Sequence, residues 1–594
     1  MNSSTIFAFN VLEFRTIYLD GFVPSHIYKA FGGYSFTQAP PIAPAYPHYT
    51  LSYPVGAAIV SFPLYLLFYA WLKIFASGIS PLTAEFEPYR LAFSHITAAI
   101  LSAGTVALFF LIVRSRFSKR TTLITTACLA FATMQWGLLS QSLFQQGPSS
   151  FVMMGSACLA LRSSKSPSRS WFLIAAGALA GILFLIRPTN LIFMLALLTF
   201  AVIRFRRQST AFCIACAITF VLSIAWNRFH FASWIGAAAL SQTHTYLFTP
   251  ETFMSGLLGL TASPNHGLLA NSPVLLFAAA GIVISLRSIV RRRFRVILAA
   301  DLLFILLLGA AGVLLISYSF SPFWDGGGSY GSRYLAETMP ILAYFLNFLP
   351  PLRSRRIIAT AFALCAALGV FNQLTAIIGG HEAFAGWASV PYGTNDVPED
   401  RRWAYMQEAP LKAFQTRRWD IRDSLNARIW RGVYANRYLM PRTNATFVRH
   451  AGCKATIVSL EDTDGNEAGQ FKLRSVDGSR PYAERLWDAA SEGRKFVKVR
   501  VRNDGIIPLY GYQSGLTWGF TSMTYKVSDE SGAVVFEAGT VYVSATINPG
   551  ETGDALGSMY ISTKKGRYHL EARMAVSGIG SCGPSRELGA VTVE

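Results

Sequence analysis

The sequence predicts a polytopic α-helical membrane protein with about ten transmembrane helices, one interfacial helix and a C-terminal antiparallel β-sandwich. Three observations predict this fold class. Hydrophobic residues make up 52% of the 594-residue chain and charged residues only 14%, against about 25% charged in ordinary globular domains. Long apolar blocks, separated by short basic clusters, fill residues 55–378. The chain beyond them becomes polar and ends in the alternation that is typical of strands.

These changes of composition divide the chain into four segments. We expect an external N-terminal loop region (1–54), a transmembrane domain (55–378), an amphipathic linker or lid (379–450) and a periplasmic β-sandwich (451–594). The third segment, rich in Trp, Tyr and Arg, fits either a linker helix on the membrane surface or a lid over an external site. No basic n-region with a cleavage site precedes these segments, so no removable signal peptide is expected.

The net charge of +20 at first suggests a nucleic-acid partner, but its distribution excludes that class. The basic residues gather in short connections between apolar blocks, as in cytoplasmic loops of membrane proteins. The clusters are Arg114/Arg116/Lys119/Arg120, Arg162/Lys165/Arg169, Arg204/Arg206/Arg207, Arg287/Arg291/Arg292/Arg293/Arg295 and Arg353/Arg355/Arg356.

Spanning helices follow from the apolar blocks, because a helix needs about 20 mainly apolar residues to cross the bilayer. The predicted spans are 89–113, 121–140, 148–162, 171–187, 188–203, 209–227, 273–288, 295–317, 335–350 and 357–378. Every second connection carries a basic cluster, and the others are nearly free of Lys and Arg. This alternation predicts that the second set, together with the tail after residue 378, faces outside.

The segment 55–76 allows two interpretations. As a span it would require a cytoplasmic N-terminus, whereas as an interfacial or re-entrant helix it would leave residues 1–54 outside. Pro54, Pro63 and the aromatic residues at 65–71 favour the interfacial position.

The C-terminal segment contains alternating stretches separated by turn signals such as DESG and NPGE, which predict an antiparallel sandwich. Five of the seven cysteines lie in predicted membrane helices, where Cys is an ordinary apolar residue. Cys453 and Cys582 lie at the two ends of the exported segment. A pair placed in this way in an oxidising compartment predicts a disulfide.

Candidate functional residues lie in the external connections, where irregular backbone is tolerated around a cavity. The first connection, 13–54, contains Asp20 and His48 among aromatic residues and prolines. Asp20 is the best placed carboxylate for a general base, which must reach the hydroxyl that it deprotonates. The alternative is a connector that follows the membrane surface.

Two short external turns add polar groups. Gln145, in QSLFQQGP (141–148), is suited to hydrogen bonding with sugar hydroxyls, although such amides also cap helices. Arg187, in the turn RPTN (187–190), goes against the charge trend of the outer face. It therefore needs a partner, which is either a phosphate or a protein carboxylate.

The last external connections, SPNHGLLANSP (263–273) and FWDGGGSYGSRYL (323–335), combine glycines with aromatic and charged residues. Three consecutive glycines allow a close approach of the backbone to a ligand, and the aromatic rings can stack on a sugar. Arg333 suits a bidentate phosphate contact, and Asp325 is suited either to pair with Arg333 or to bind a metal. The candidate ligand-binding residues here are His266, Asp325, Tyr330, Arg333 and Tyr334. A Gly-rich turn with a purely structural role is the alternative.

These connections, in this order, resemble those of the bacterial GT-C glycosyltransferase superfamily, specifically proteins similar to dolichyl-phosphate-mannose-protein mannosyltransferases. The matching stretches are SYPVGAAIVSFPLYL (52–66), QSLFQQGPSS (141–150), RPTNL (187–191), SPNHGLLANSPVLLF (263–277) and GGGSYGSRYLAETMP (326–340). The exported segment resembles the Ig-like tail that some of these proteins carry. In that superfamily the usual base is an acidic residue of the first external loop, preceded by a spanning helix. Here only IFAFNVL (6–12) precedes the loop, too short to span.

The resemblance implies an inverting transfer of a sugar from a polyprenyl-phosphate donor to a glycan, lipid or protein acceptor, at the outer face of a bacterial inner membrane. Asp20 would act as base, and Arg333 with Arg187 would hold the leaving phosphate. No cofactor is expected, and no firmly bound metal, because the external loops lack an Asp/Glu cluster with ligand spacing. Two other classes remain open, a lipid-linked sugar transporter and a non-catalytic scaffold that binds glycans. The nearly charge-free spans argue against a transporter.

Overall fold

The structure is a computed structural model of a chain that divides into two compact units, Met1–Ile377 and Ile378–Glu594. The first unit is helical and the second is rich in strands. The described residues are 2–23, 25, 36–38, 48–51, 53–164, 170–231, 233–236, 250–291, 298–321, 324, 330–349, 356–389, 424, 426–427, 429–430, 453–462, 465–467, 471–473, 494–511, 521–543, 545–562, 564–576 and 580–594. Most of the predicted linker or lid, 390–450, lies outside them.

The helical unit confirms the expected helical region with several apolar helices. Its α-helices are α1 (Asn2–Phe14), α2 (Gly56–Phe75), α3 (Glu87–Arg114), α4 (Lys119–Phe131), α5 (Gln146–Ser163), α6 (Trp171–Ile186), α7 (Leu191–Phe205), α8 (Ser209–Phe231), α9 (Phe253–Ala262), α10 (Leu268–Asn271), α11 (Leu275–Arg291), α12 (Ala299–Ser319), α13 (Met339–Phe345) and α14 (Arg356–Ser389), the last of which crosses the division between the units. A short antiparallel ribbon, β1 (Phe36–Gln38) and β2 (Tyr49–Leu51), follows α1.

Five helical segments among the described residues are long and apolar enough to cross a membrane: Gly56–Phe75, Ala84–Arg114, Pro188–Phe231, Ala299–Ser319 and Arg356–Ile378. Other apolar helices among the described residues are shorter than the length of about 20 residues that a span needs. The count of about ten spans therefore stays a prediction. The segment predicted to be interfacial forms α2, whose 20 residues suit either a span or a surface position.

The structure differs from two expectations for the helical unit. Residues 335–350 were predicted as a span, but α13 has only seven residues between the 3₁₀ turns Arg333–Thr338 and Leu346–Phe348. This interrupted segment is almost entirely buried in protein, which is where irregular backbone is tolerated in membrane proteins. Residues 228–272 were predicted as a loop, whereas α8 continues to Phe231 and α9 lies further along the same stretch.

Helices α6 and α8 pack with their backbones in close contact, because α6 presents glycine on the shared face. A Cβ atom added to Gly177 would lie 2.2 Å from the carbonyl oxygen of Phe212, and one added to Gly181 would lie 2.4 Å from that of Cys216. Small residues at a helix interface allow this approach, which is a common means of packing membrane helices.

A hydrogen bond from a buried arginine attaches α1 to α3. Arg90 lies in the first turns of α3 and is 2% exposed. Its guanidinium donates to the carboxylate of Glu87 at 2.5 and 2.7 Å and to the Thr5 hydroxyl of α1 at 2.9 Å. Because the charge is paired and hydrogen-bonded within the protein, this contact fixes the N-terminal helix against the bundle.

The second unit forms one hydrogen-bonded sheet with strand order β3-β5-β8-β7-β6-β9-β11-β4, and β10 pairs with β9 off this path. The strands are β3 (Ala455–Asp462), β4 (Lys472–Leu473), β5 (Arg494–Asn503), β6 (Thr521–Asp529), β7 (Val534–Val543), β8 (Thr552–Tyr560), β9 (Gly566–Val576), β10 (Gly580–Ser581) and β11 (Arg586–Val593). All described pairs are antiparallel except β11 with β4.

Alternation along the strands gives this sheet one buried face. On β5, Val497, Val499 and Val501 are buried, whereas Arg500 and Arg502 between and after them are exposed. The buried residues join those of the other strands in one apolar cluster. This confirms a strand-rich C-terminal segment with the predicted alternation of side chains.

The sheet curls so that its first strand approaches the turn between β10 and β11. The backbone N–H of Ala455 donates to the carbonyl oxygen of Cys582 at 3.0 Å. A disulfide joins Cys453 and Cys582, whose Cα atoms are 5.1 Å apart, and closes this contact covalently. The arrangement is a curled sheet, and its interpretation as a two-sheet Ig-like sandwich stays a prediction.

Candidate active site

Asp20 lies in a short 3₁₀ turn, Leu19–Phe22, that follows α1. The turn is fixed because Leu19 and Phe22 are buried on either side of Asp20, whose side chain remains 42% exposed. Before the turn, the buried Asn10 side chain of α1 donates to the carbonyl oxygens of Thr16 and Tyr18 at 2.7 and 2.8 Å. The carboxylate is therefore presented at the surface of an ordered segment.

The structure brings His48 to Asp20 across 28 residues of sequence. The Nδ1 atom of His48 lies 2.6 Å from Oδ2 of Asp20, and the backbone N–H of Tyr49 donates to Oδ1 at 2.7 Å. The two carboxylate oxygens are thus held by His48, which precedes β2, and by Tyr49, the first residue of β2. The sequence predicted Asp20 and His48 separately as site residues, without predicting their contact.

Three aromatic residues that were missing from the prediction form a row of ring contacts that begins at His48. The Tyr18 ring stacks on His48 at 4.4 Å between centroids and approaches the His230 ring at 5.7 Å. His230, at the end of α8, is buried and stacks on Trp226 at 3.9 Å. No sequence signal places Tyr18 next to His230, because their contact depends on how α1 and α8 pack.

Arg187, at the end of α6, is 6% exposed and has a protein carboxylate as its partner. Its Nη1 donates to Oε1 of the fully buried Glu337 at 2.6 Å, and its Nη2 donates to the Tyr318 hydroxyl. Of the two partners that the sequence left open, the structure therefore contains the carboxylate. Glu337 could have been suggested from the sequence, since it is the only acidic residue between 326 and 377.

Arg333 has no such carboxylate among the described residues. Its guanidinium lies over the rings of Phe144 and Tyr334, at 5.5 and 5.4 Å from their centroids. Its Nε is buried and makes no hydrogen bond in the described part of the chain. Arg333 is thus held by aromatic faces, which leaves its charge uncompensated by the residues that surround it there.

Tyr334 connects the two arginines. Its ring lies 5.6 Å from the guanidinium of Arg187 and stacks on Tyr318 at 4.3 Å with an angle of 4° between the rings. The neutralised pair of Arg187 and Glu337 therefore supports the ring on which Arg333 rests. Deleting either charge of such a buried pair leaves the other charge without compensation.

The remaining predicted residues lie in different surroundings. Tyr330 is buried and its hydroxyl donates to the carbonyl oxygen of Asn372 at 2.8 Å. His266 is fully buried with its ring edge-on to Trp324 at 6.3 Å. Gln145 precedes α5, and the nitrogen of its amide is buried with no hydrogen bond among the described residues. Asp325 lies outside the described residues.

One packed cluster joins the Asp20 segment to the segments that carry Gln145 and Arg187. Leu19 and Phe22 share this cluster with Leu143 and Leu185, which precede Gln145 and Arg187 by two residues each. Three of the predicted external segments therefore pack together.

Within the described part of the chain, no group of three or more His, Cys, Asp or Glu residues could hold a metal ion, and the absence of a bound metal stays a prediction.

Comparison with known proteins gives one family match. Residues 93–230 match the family model of dolichyl-phosphate-mannose-protein mannosyltransferases. This range runs from α3 to the end of α8 and contains Gln145, Arg187 and His230, whereas Asp20 and Arg333 lie outside it. No curated protein matches the chain.

Solved structures give weaker likenesses. ArnT from Cupriavidus metallidurans, bound to undecaprenyl phosphate, is 12% identical with a TM-score of 0.34. The alignment covers 74% of this chain and 75% of the ArnT chain. The Archaeoglobus fulgidus oligosaccharyltransferase, in complex with Zn and sulfate, is 11% identical with a TM-score of 0.33, over 92% and 90% of the two chains. The alkylpurine DNA glycosylase AlkC from Pseudomonas fluorescens is 12% identical with a TM-score of 0.17, over 84% and 98%.

None of these TM-scores reaches 0.5, so these solved structures do not support any conclusion about the function of this protein. The family match rests on the sequence of the helical unit itself. Residues 93–230, less than half of the chain, therefore resemble the dolichyl-phosphate-mannose-protein mannosyltransferases, in agreement with the resemblance to the GT-C glycosyltransferases that the sequence predicted.

Proposed function

We propose that this protein is a membrane glycosyltransferase that transfers a sugar from a polyprenyl-phosphate donor to an acceptor hydroxyl at the outer face of a bacterial inner membrane. The family match supports sugar transfer, and the name of that family supports a donor of the polyprenyl-phosphate class. The observation that carries the proposal is the contrast between two arginines, of which Arg187 is paired with Glu337 and Arg333 is paired with no carboxylate in the described part of the chain.

Arg333 binds the phosphate that leaves with the lipid. A guanidinium offers a planar set of donors that matches two phosphate oxygens, and stacking on Phe144 and Tyr334 orients that set before the donor arrives. Negative charge grows on the leaving phosphate in the transition state. A preorganised cation at that point is the largest contribution to catalysis that this arrangement offers.

The Asp20–His48 pair removes the proton of the acceptor. The acceptor oxygen then forms a bond to the anomeric carbon while the bond from that carbon to the phosphate oxygen breaks. The electron pair of the broken bond leaves with the polyprenyl phosphate, and the configuration at the anomeric carbon is inverted. Gln145, with a buried amide nitrogen free of hydrogen bonds to described residues, contributes a donor to sugar or phosphate oxygens.

The orientation of the chain follows from its basic residues. Arg114 ends α3, Arg204 lies in the last turn of α7, Arg206 and Arg207 lie between α7 and α8, and Arg291 ends α11. By contrast, Arg187 and His230 lie at the C-terminal ends of α6 and α8, away from these basic residues. With the basic ends in the cytoplasm, the candidate site and the C-terminal sheet lie outside. The disulfide between Cys453 and Cys582 supports an oxidising compartment such as the periplasm.

Substitution of Arg333 tests this function. Purified protein in lipid nanodiscs would be incubated with undecaprenyl phosphate carrying radiolabelled mannose, and with membranes of the source cell as acceptor. The variant Arg333→Ala should lose at least about a hundredfold in transfer rate, because one preorganised charge contact is removed. The matched control is Arg114→Ala, which removes an exposed arginine at the C-terminal end of α3 and should keep full activity. Full activity of Arg333→Ala would refute the role of this residue.

A further inference from the structure

The contact between His48 and Asp20 has the geometry of a dyad in which a carboxylate orients an imidazole. The distance of 2.6 Å from Nδ1 to Oδ2 is that of a short hydrogen bond to a carboxylate. An ionised carboxylate only accepts hydrogen bonds, so Nδ1 carries the proton in this contact. In a neutral imidazole the other nitrogen, Nε2, then bears the free electron pair.

Two further contacts fix this pair in place. The Tyr18 ring lies nearly parallel to the imidazole, at an angle of 21° and 4.4 Å between centroids, and so restrains its plane. The backbone N–H of Tyr49 holds the second carboxylate oxygen at 2.7 Å, and Tyr49 is itself paired with Gln38 in the β1–β2 ribbon. The side chain of His48 nevertheless remains 34% exposed, which leaves room for a substrate to approach it.

The carboxylate is less suited than the imidazole to receive the proton. Each oxygen of Asp20 already accepts one charge-assisted or backbone hydrogen bond, from His48 and Tyr49 respectively. A substrate hydroxyl that approached either oxygen would have to compete with one of these bonds, whereas Nε2 of His48 is not used in the contact with Asp20. The bond to Asp20 orients the imidazole, as the carboxylate does in hydrolytic triads.

We infer that Nε2 of His48, rather than the carboxylate of Asp20, takes the proton of the acceptor hydroxyl, and that Asp20 and Tyr18 act as positioning residues. This rests on the proposed function as a glycosyltransferase. The proton moves from the acceptor oxygen to Nε2 as that oxygen bonds to the anomeric carbon, and the polyprenyl phosphate departs with the electron pair. The resulting imidazolium later returns the proton to water.

The substitution His48→Asn separates the two assignments. Its side-chain amide keeps a donor for Asp20 where Nδ1 stood, but it removes the basic nitrogen. We expect a loss of about a hundredfold to ten-thousandfold in kcat with little change in the KM for the donor, as for removal of a general base. Wild-type-like kcat in His48→Asn would assign the proton transfer to Asp20 and overturn the inference.

Chemical rescue provides the second measurement. In His48→Ala, added imidazole can occupy the space against the Tyr18 ring and should restore part of kcat in a concentration-dependent manner. An inactive His48→Ala that keeps its elution volume and donor binding, yet gains nothing from imidazole, would also overturn the inference. His95→Ala, which removes an exposed histidine of α3, is the control and should behave like the wild type.

These outcomes are distinct from a failure of the proposed function. If the wild type transfers no sugar, the function itself fails, and the assignment of His48 fails with it. If the wild type transfers sugar and Arg333→Ala does not, the function stands. The activities of His48→Asn and His48→Ala then decide the base alone.

Discussion

At the scale of the residue, the structure distinguishes an arginine that is paired with a buried carboxylate from the arginine that we propose binds phosphate. Both Arg187 and Arg333 were predicted from the same signal, an isolated positive charge on the outer face. The structure distinguishes them, because Glu337 neutralises Arg187 in the interior while Arg333 rests on aromatic faces. The sequence alone cannot make this distinction, since the partner of Arg187 is 150 residues away along the chain.

Removing the partner of Arg187 should destabilise the protein. Glu337→Leu leaves the buried guanidinium without compensation and should lower the free energy of unfolding by about 3–5 kcal/mol. The double variant Arg187→Met/Glu337→Leu removes both charges and should be less destabilised than the single variant. Thermal unfolding midpoints in one detergent, measured for the wild type and these variants, would check this order. A double variant less stable than Glu337→Leu would contradict the buried pair as the cause.

At the scale of the element, apolar blocks and basic clusters predicted most of the helices that the structure describes, but not the short helices α1, α9 and α10. The predictions differ from the structure where tertiary packing, rather than the local pattern of apolar residues, determines the backbone conformation. Residues 335–350 are interrupted because protein surrounds them, and α9 was missed because its ten residues are too short for a span. The contacts of Tyr18 with His48 and His230 could not be predicted either. The spacing of apolar residues along the sequence does not indicate which loop packs against which helix end.

Because α6 and α8 approach closely, we expect α6 to tolerate only very small side chains on the face that it shares with α8. Gly177→Leu forces a side chain into the backbone of α8, where even a Cβ atom would lie 2.2 Å from a carbonyl oxygen. We expect loss of folded protein on size-exclusion chromatography, or a thermal midpoint lower by several degrees, because overpacking costs about 1–3 kcal/mol or more. Gly309→Leu on α12, where no atom lies within 4 Å of an added Cβ, is the matched control. Equal behaviour of the two variants would exclude this packing.

At the scale of the whole molecule, a helical unit with apolar helices is followed by a separate, disulfide-closed sheet. Composition predicted this division, because the change from apolar blocks to alternating strands is abrupt. The curl of the sheet was not predictable, since the strand order depends on pairings between distant segments such as β6 with β9. The orientation of the chain across the membrane stays a prediction from the basic clusters.

The disulfide should contribute to the stability of the C-terminal unit. It joins residues 129 apart, so it restricts a long stretch of the unfolded chain. Replacing both Cys453 and Cys582 by Ser should cost about 2–5 kcal/mol. Limited proteolysis of the full chain should then cleave within the sheet at lower temperature than in the wild type, while fragments of the helical unit stay unchanged. Identical cleavage temperatures would contradict a stabilising role.

The most direct test of the account follows the products formed by the wild type. Undecaprenyl phosphate carrying radiolabelled mannose would be supplied to the purified protein in nanodiscs, together with membranes of the source cell. The account predicts that undecaprenyl phosphate is released in step with a labelled glycoside whose anomeric configuration is inverted relative to the donor. Donor recovered intact, or a glycoside of retained configuration, would contradict it.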